Sequence, residues 1–168
     1  MSVACIYCSG SIKYRNNENR FITHDICSQC IDIIFNQQDD LVISFLDNIE
    51  APILLMQPDP RQVRTANKKA CELFNKDLSQ IERHRGGQVF DCIHSFTEAG
   101  CGIDLNCEEC KIRNSVVETF TSGKSFNGVS TVLDIKKNNL IRPYNLQIAT
   151  EKVRDLALMR IDRYEKLA

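Results

Sequence analysis

"FLDNIEAPILLMQPDPRQVRTANKKACELFNKDLSQIERHRGG", residues 45–87, changes periodicity three times, and those changes decide the fold. It continues a helix that opens at Asp39 and Asp40, with Leu41, Val42, Phe45, Leu46 and Ile49 at helical spacing and two acids where the helix dipole favours them. "APILLM" reads as a buried strand, "QPDPRQ" as a turn and "VRTA" as a second strand. Asn67 then opens a short helix whose apolar face is Ala70, Leu73 and Phe74. Cys71 on the same helix packs as a small hydrophobe. "KDLSQIERHRGGQVF" adds one further helical turn, ending at Gly86 and Gly87, where glycine can supply positive φ.

Downstream, Ile112, Val116, Val117 and Phe120 form the apolar stripe of a longer helix that ends near Gly123. "TSGKS" at residues 121–125 follows a helix and lacks the upstream glycine of a phosphate loop, so it is a helix stop. Val129, Thr131, Leu133 and Ile135 then alternate along a strand, "KKNN" turns the chain, and "LIRPYNLQIAT" and "RDLALMRID" supply two more strands. Pro143 cannot donate to a ladder and belongs at an edge or a bulge.

The resulting order is helix, strand, strand, short helices, longer helix and three strands. From residue 39 to residue 164 it resembles the PAS domain, in which an N-terminal helix leads to a strand pair, an Asn-containing helix start and a Gly after the short helices. Asn67 and Gly86 or Gly87 stand in those places. The resemblance implies an α+β fold over residues 39–168, with a five-stranded antiparallel sheet and helices on one face. It also implies a sensory or dimerisation module, a homodimer that signals to a protein partner such as a sensor kinase or a transcription regulator.

Nine cysteines partition into Cys5, Cys8, Cys27 and Cys30, then Cys71, then Cys92, Cys101, Cys107 and Cys110. The first four form two C-x-x-C knuckles separated by eighteen residues, the spacing of a tetrahedral four-thiolate site. Residues 1–36 therefore resemble a zinc ribbon, with a hairpin expected around Asn16–Asn19. A segment of this size buries too little surface to fold alone, so zinc supplies much of its stability. The competing readings are a pair of redox dithiols or a rubredoxin-like iron site. His24 reads as a surface histidine, and Lys13, Arg15 and Arg20 are too few to specify nucleic acid.

The second quartet has the spacing C-x8-C-x5-C-x2-C, an insertion at residues 92–110 of the PAS-like domain. It falls on the flank where many PAS domains hold a cofactor. Gly100 and Gly102 allow a tight turn around a ligand. Cys107 and Cys110 lie at a helix start, where the dipole stabilises thiolates. All four cysteines are expected to share one centre, either zinc or an iron–sulfur cluster. The first would pin the insertion and the second would respond to oxygen or redox state. The bland alternative is four unligated thiols or a redox disulfide pair. His94 reads as a hydrogen-bonded neighbour. "CEEC" is followed by Lys111, not the His of c-type haem attachment, His84 and His94 give b-type haem no support, and no reactive flavin-type cysteine motif is present.

Twenty-one Lys and Arg against twenty-two Asp and Glu, a net charge of −1, give no electrostatic pull toward nucleic acid or an anionic membrane. No apolar run approaches the ~20 residues of a membrane span, and "MSVACIYCSG" lacks a signal-peptide pattern. The expectation is a cytoplasmic protein without membrane contact. Both quartets read as closed and no nucleophile–base set is visible, so no enzyme activity is expected. Two other classes compete with the sensor: a nucleic-acid-associated regulator using the ribbon, and a structural adaptor with two zinc sites.

Overall fold

The computed structural model describes residues 3–12, 22–36 and 39–168. The expected ribbon hairpin around Asn16–Asn19, with Lys13, Arg15 and Arg20, lies outside them. The N-terminal segment contributes β1 (Val3–Ala4), β2 (Ser11–Ile12) and α1 (Ser28–Asn36). The body follows with α2 (Asp39–Asp47), β3 (Ile53–Pro58), β4 (Arg61–Ala66), α3 (Lys68–Phe74), α4 (Leu78–Ile81) and α5 (Gly86–Phe90). It closes with α6 (Lys111–Ser122), β5 (Phe126–Lys137), β6 (Leu140–Val153) and β7 (Leu156–Lys166).

The five long strands form one antiparallel sheet in the order β4-β3-β7-β6-β5. This is the expected α+β architecture, except that helices cover both faces of the sheet and not one. In β3, successive side chains point to opposite faces, and Ile53, Leu54, Leu55 and Met56 are all buried because both faces are covered. On one face, Leu54 and Met56 pack with Phe74, Phe90, Ile112 and Val116 from α3, α5 and α6. On the other, Ile53 and Leu55 pack with Val42, Phe45 and Leu46 of α2 and with Ile26, Ile31, Ile34 and Phe35 of the N-terminal segment. The cysteine-rich segment is therefore part of a core that it shares with the sheet. Its connection is also polar: buried Glu151 of β6 accepts from the Thr23 hydroxyl and from the Ile22 N–H at 2.9 Å.

Asn67 caps α3, as its position in the sequence suggests, and does more. Its fully buried Oδ1 accepts from Ala70 N at 3.0 Å and from Ile53 N at 2.9 Å. Its Nδ2 donates to Leu46 O at 2.9 Å and to Ala51 O at 2.8 Å. One amide thus joins α2, β3 and α3, using all its hydrogen-bonding capacity on backbone.

Three local expectations need adjusting. The strands of the first hairpin reach Pro58 and restart at Arg61, so the turn is shorter than "QPDPRQ". Gly86 and Gly87 do not end a helix with positive φ; they open α5, and the αL residue that stops α5 is Asp91 at φ 60. Pro143 is not at an edge or a bulge but inside the interior strand β6, opposite Asp134 of β5 and one residue beyond the last ladder pair with β7 (Tyr144↔Lys166). Its carbonyl accepts from Leu167 N at 2.9 Å, so only the reciprocal N–H bond is missing, at the very end of the β6–β7 ladder. The helix stop at Gly123 (φ 74) and the turn at Asn138 and Asn139 (φ 52 and 61) stand as read. No helix among the described residues is long and apolar enough to cross a membrane.

Candidate metal centres

The first quartet is assembled by backbone that has few other tasks. Among the described residues β1 and β2 pair at Val3↔Ile12 and Ala4↔Ser11, which folds the first knuckle back on itself. Cys5 N donates to Gly10 O at 2.8 Å, and Ser9 takes φ 57 to complete the turn. Cys27 precedes α1 and Cys30 lies in its first turn. The four Sγ atoms all lie within 4.8 Å of one another, and those of Cys8 and Cys27 are 3.7 Å apart. Tetrahedral zinc with Zn–S bonds of about 2.3 Å places its sulfurs about 3.8 Å apart, so these thiols are set for a single ion.

N–H groups already point at the sulfurs: Gly10 N to Cys8, Cys27 N to Cys5 and Cys30 N to Cys27, each at 3.4 Å. Burial opposes ionisation of Cys5, yet the N–H groups of Cys27, Cys8 and Tyr7 bring its thiol down to about 6. Cys30 is pushed up to about 12 by burial and by the thiols of Cys27, Cys8 and Cys5. Four thiols this close cannot all ionise unaided, and a divalent cation is what relieves the conflict. His24 stays outside the cluster, 3.0 Å from Asp25.

The second quartet is drawn from four separate turns. Cys92 follows α5 and bridges to Ile135 of β5. Cys101 sits between Gly100 (φ 80) and Gly102 (φ 83), conformations that favour glycine. Cys107 closes a 3₁₀ turn (Leu105–Cys107), and Cys110 is the N-cap of α6. Their side chains line one cavity of about 230 Å³. Gly87 N donates to Cys101 Sγ at 3.1 Å and Gly102 N to Cys107 Sγ at 3.2 Å. Among the described residues, however, only the first quartet brings its ligand atoms within 4.8 Å of one another. The second converges on a shared space without closing to single-ion distances.

Three arginines that the sequence reading did not single out line the same cavity: Arg61 from β4, Arg85 before α5 and Arg113 from α6. Burial lowers the Arg61 guanidinium from its ordinary range, and the charges of Arg113 and Arg85 add to the effect. Arg85 also donates to Cys101 O at 3.1 Å. Burial pushes the Cys92 thiol up to about 11 against the His94 N–H, with the three neighbouring thiols adding to the rise. Cys101 is likewise raised by burial, opposed by the Gly87 N–H. His94 also lines the cavity, its Nδ1 3.6 Å from Asp104, a neighbour of the cysteines as expected. Cys71 packs against the main core and is part of neither the first cluster nor the cavity lining.

Gly87 explains itself here. A Cβ at this position would lie 2.5 Å from Cys101 Sγ and 2.9 Å from its Cβ. Gly87→Ala is therefore expected to displace Cys101 and to lower at least twofold any metal that the second quartet binds, without changing what the first binds. Metal analysis of the variant checks this, and full occupancy of both centres would contradict it.

No protein-family model matches this chain, and no curated protein sequence does. Among solved structures it is similar to the LOV protein of Rhodobacter sphaeroides, at 13% identity and a TM-score of 0.50, over 73% of this chain and 64% of that one. It is also similar to the PAS domain of nitrogen regulation protein NR(II) from Vibrio parahaemolyticus, at 14% identity and a TM-score of 0.44, over 73% and 97%. The chain thus spans about 64% of the length of the LOV protein. The fold is that of the PAS and LOV domains, with a four-cysteine cluster near the N-terminus that could hold a metal.

Proposed function

We propose that this is a cytoplasmic sensory protein that takes its signal at residues 92–110 and passes it on by contact. The observation that carries this reading is the convergence of four thiols and three arginines on one cavity at the helical face of a PAS-type sheet. The first quartet holds zinc, and its role is to fasten the N-terminal segment over the second face of the sheet. The second holds zinc or an iron–sulfur cluster and responds to redox state or oxygen. The output is a changed surface offered to a signalling partner, a sensor kinase or a transcription regulator, by a homodimer with no catalytic role. Cys92 is joined to β5 through its bridge to Ile135, and Cys110 to α6 as its N-cap, so a change at the thiols has a direct path into the sheet.

Amide hydrogen exchange on the full chain, prepared without air and then exposed to it, tests the reading. Protection should fall at residues 92–110, the first turn of α6 and β5, and hold in the N-terminal segment. Identical exchange in the two states would contradict a sensor and favour a structural adaptor.

A further inference from the structure

We propose that the second quartet holds a [4Fe–4S] cluster and not a single ion. This rests on the reading of Cys92, Cys101, Cys107 and Cys110 as one joint centre.

The two quartets differ in the one dimension that separates these occupants. Around a single zinc, sulfurs must approach to about 3.8 Å. The first quartet does so, with Cys8 and Cys27 at 3.7 Å, while the second stays outside the 4.8 Å grouping. Its four cysteines instead line part of one cavity of about 230 Å³, which has room for more than a single ion. A cubane places iron and sulfide between its ligands, each cysteine binding a different iron, and so needs thiolates spread around a central volume.

The surroundings match an anionic cluster. Arg61, Arg85 and Arg113 face the space, the N-terminus of the twelve-residue α6 begins at Cys110, and Glu109 is the one acid in the lining. The guanidinium Nε of Arg113 is buried without a hydrogen-bond partner. Gly87 and Gly102 already donate N–H bonds to two of the ligand sulfurs, and such bonds help set a cluster's potential. Met56, Phe90, Ile112 and Met159 supply an apolar wall that limits water.

The test uses the full chain purified without air, or reconstituted with ferrous iron and sulfide. Iron, acid-labile sulfide and zinc are counted, and electron paramagnetic resonance is recorded after one-electron reduction by dithionite. The expected result is about four iron, four sulfide and one zinc per chain, with a reduced-cluster signal. Cys101→Ser and Cys107→Ser should each lose iron and sulfide at least tenfold while keeping the zinc. Arg61→Gln should keep its iron and shift the reduction potential negative, an effect that misfolding would not produce. Two zinc and no iron, with the second zinc lost in the cysteine variants, would overturn the cluster and leave the joint centre standing. One zinc alone, unchanged by substitution at all four cysteines, would overturn both.

Discussion

Asn67→Ala should lower the free energy of unfolding by about 4 kcal/mol, since each of four lost hydrogen bonds contributes about 1 kcal/mol and three of the partners left behind are buried, the fourth partly so. Those partners are Ile53 N, Ala70 N, Leu46 O and Ala51 O, and the side chain itself is fully buried. Three elements would lose a common anchor at once: the end of α2, the start of β3 and the first turn of α3. Asn67→Asp is no rescue. It keeps the acceptor for Ile53 and Ala70 but removes both donors and places a charge in the core. Urea unfolding followed by circular dichroism reads the difference, and a loss below about 1 kcal/mol would mean that the amide does not hold these elements together.

Cys5→Ser should have an effect of similar size by a different route. Cys5 is 2% exposed and its sulfur faces three other thiols, so its loss opens the four-thiol site proposed to hold zinc. Loss of a structural metal is among the few single changes that cost more than about 4 kcal/mol. In this protein the damage does not stop at the ribbon, because Ile26, Ile31, Ile34 and Phe35 cover the same sheet face as α2. Uncovering Ile53, Leu55, Val153 and Leu158 exposes apolar surface that water penalises at about 25 cal/mol per Å². The melting temperature should fall by about 10 °C or more, given 2–4 °C per kcal/mol for a chain of this size. A dye that binds apolar surface should report the bared sheet. Cys71→Ser, which belongs to neither the first cluster nor the cavity lining, should change neither metal content nor dye binding. An unchanged melting temperature in zinc-free Cys5→Ser would contradict the shared core.

The fold was legible because its signals are local. The alternation along β5, the stripe through Ile112, Val116 and Phe120, the cap at Asn67 and the stop at Gly123 each depend on a few adjacent residues. The cysteine spacings were equally local, and they pointed to two groups of four. What the sequence could not show comes from contacts distant along the chain. Gly86 and Gly87 look like a helix stop, but Gly87 is small because Cys101 occupies the place of its side chain. Arg61, Arg85 and Arg113 lie far apart in sequence and meet only when β4, α5 and α6 surround the thiols. The tie between Glu151 and Thr23 crosses 128 residues, so nothing near either one announces that the N-terminal segment seals the sheet.

A single ion in the compact quartet and a cluster in the spread one would make two different centres in one chain. Mass spectrometry of the intact protein under non-denaturing conditions, from preparation without air, reads both at once. The expected result is one dominant species with the mass of the chain plus one zinc and one [4Fe–4S] unit, and loss of the cluster mass alone after exposure to air. A dominant species with the mass of the bare chain, or of the chain with two zinc ions unaffected by air, would contradict it.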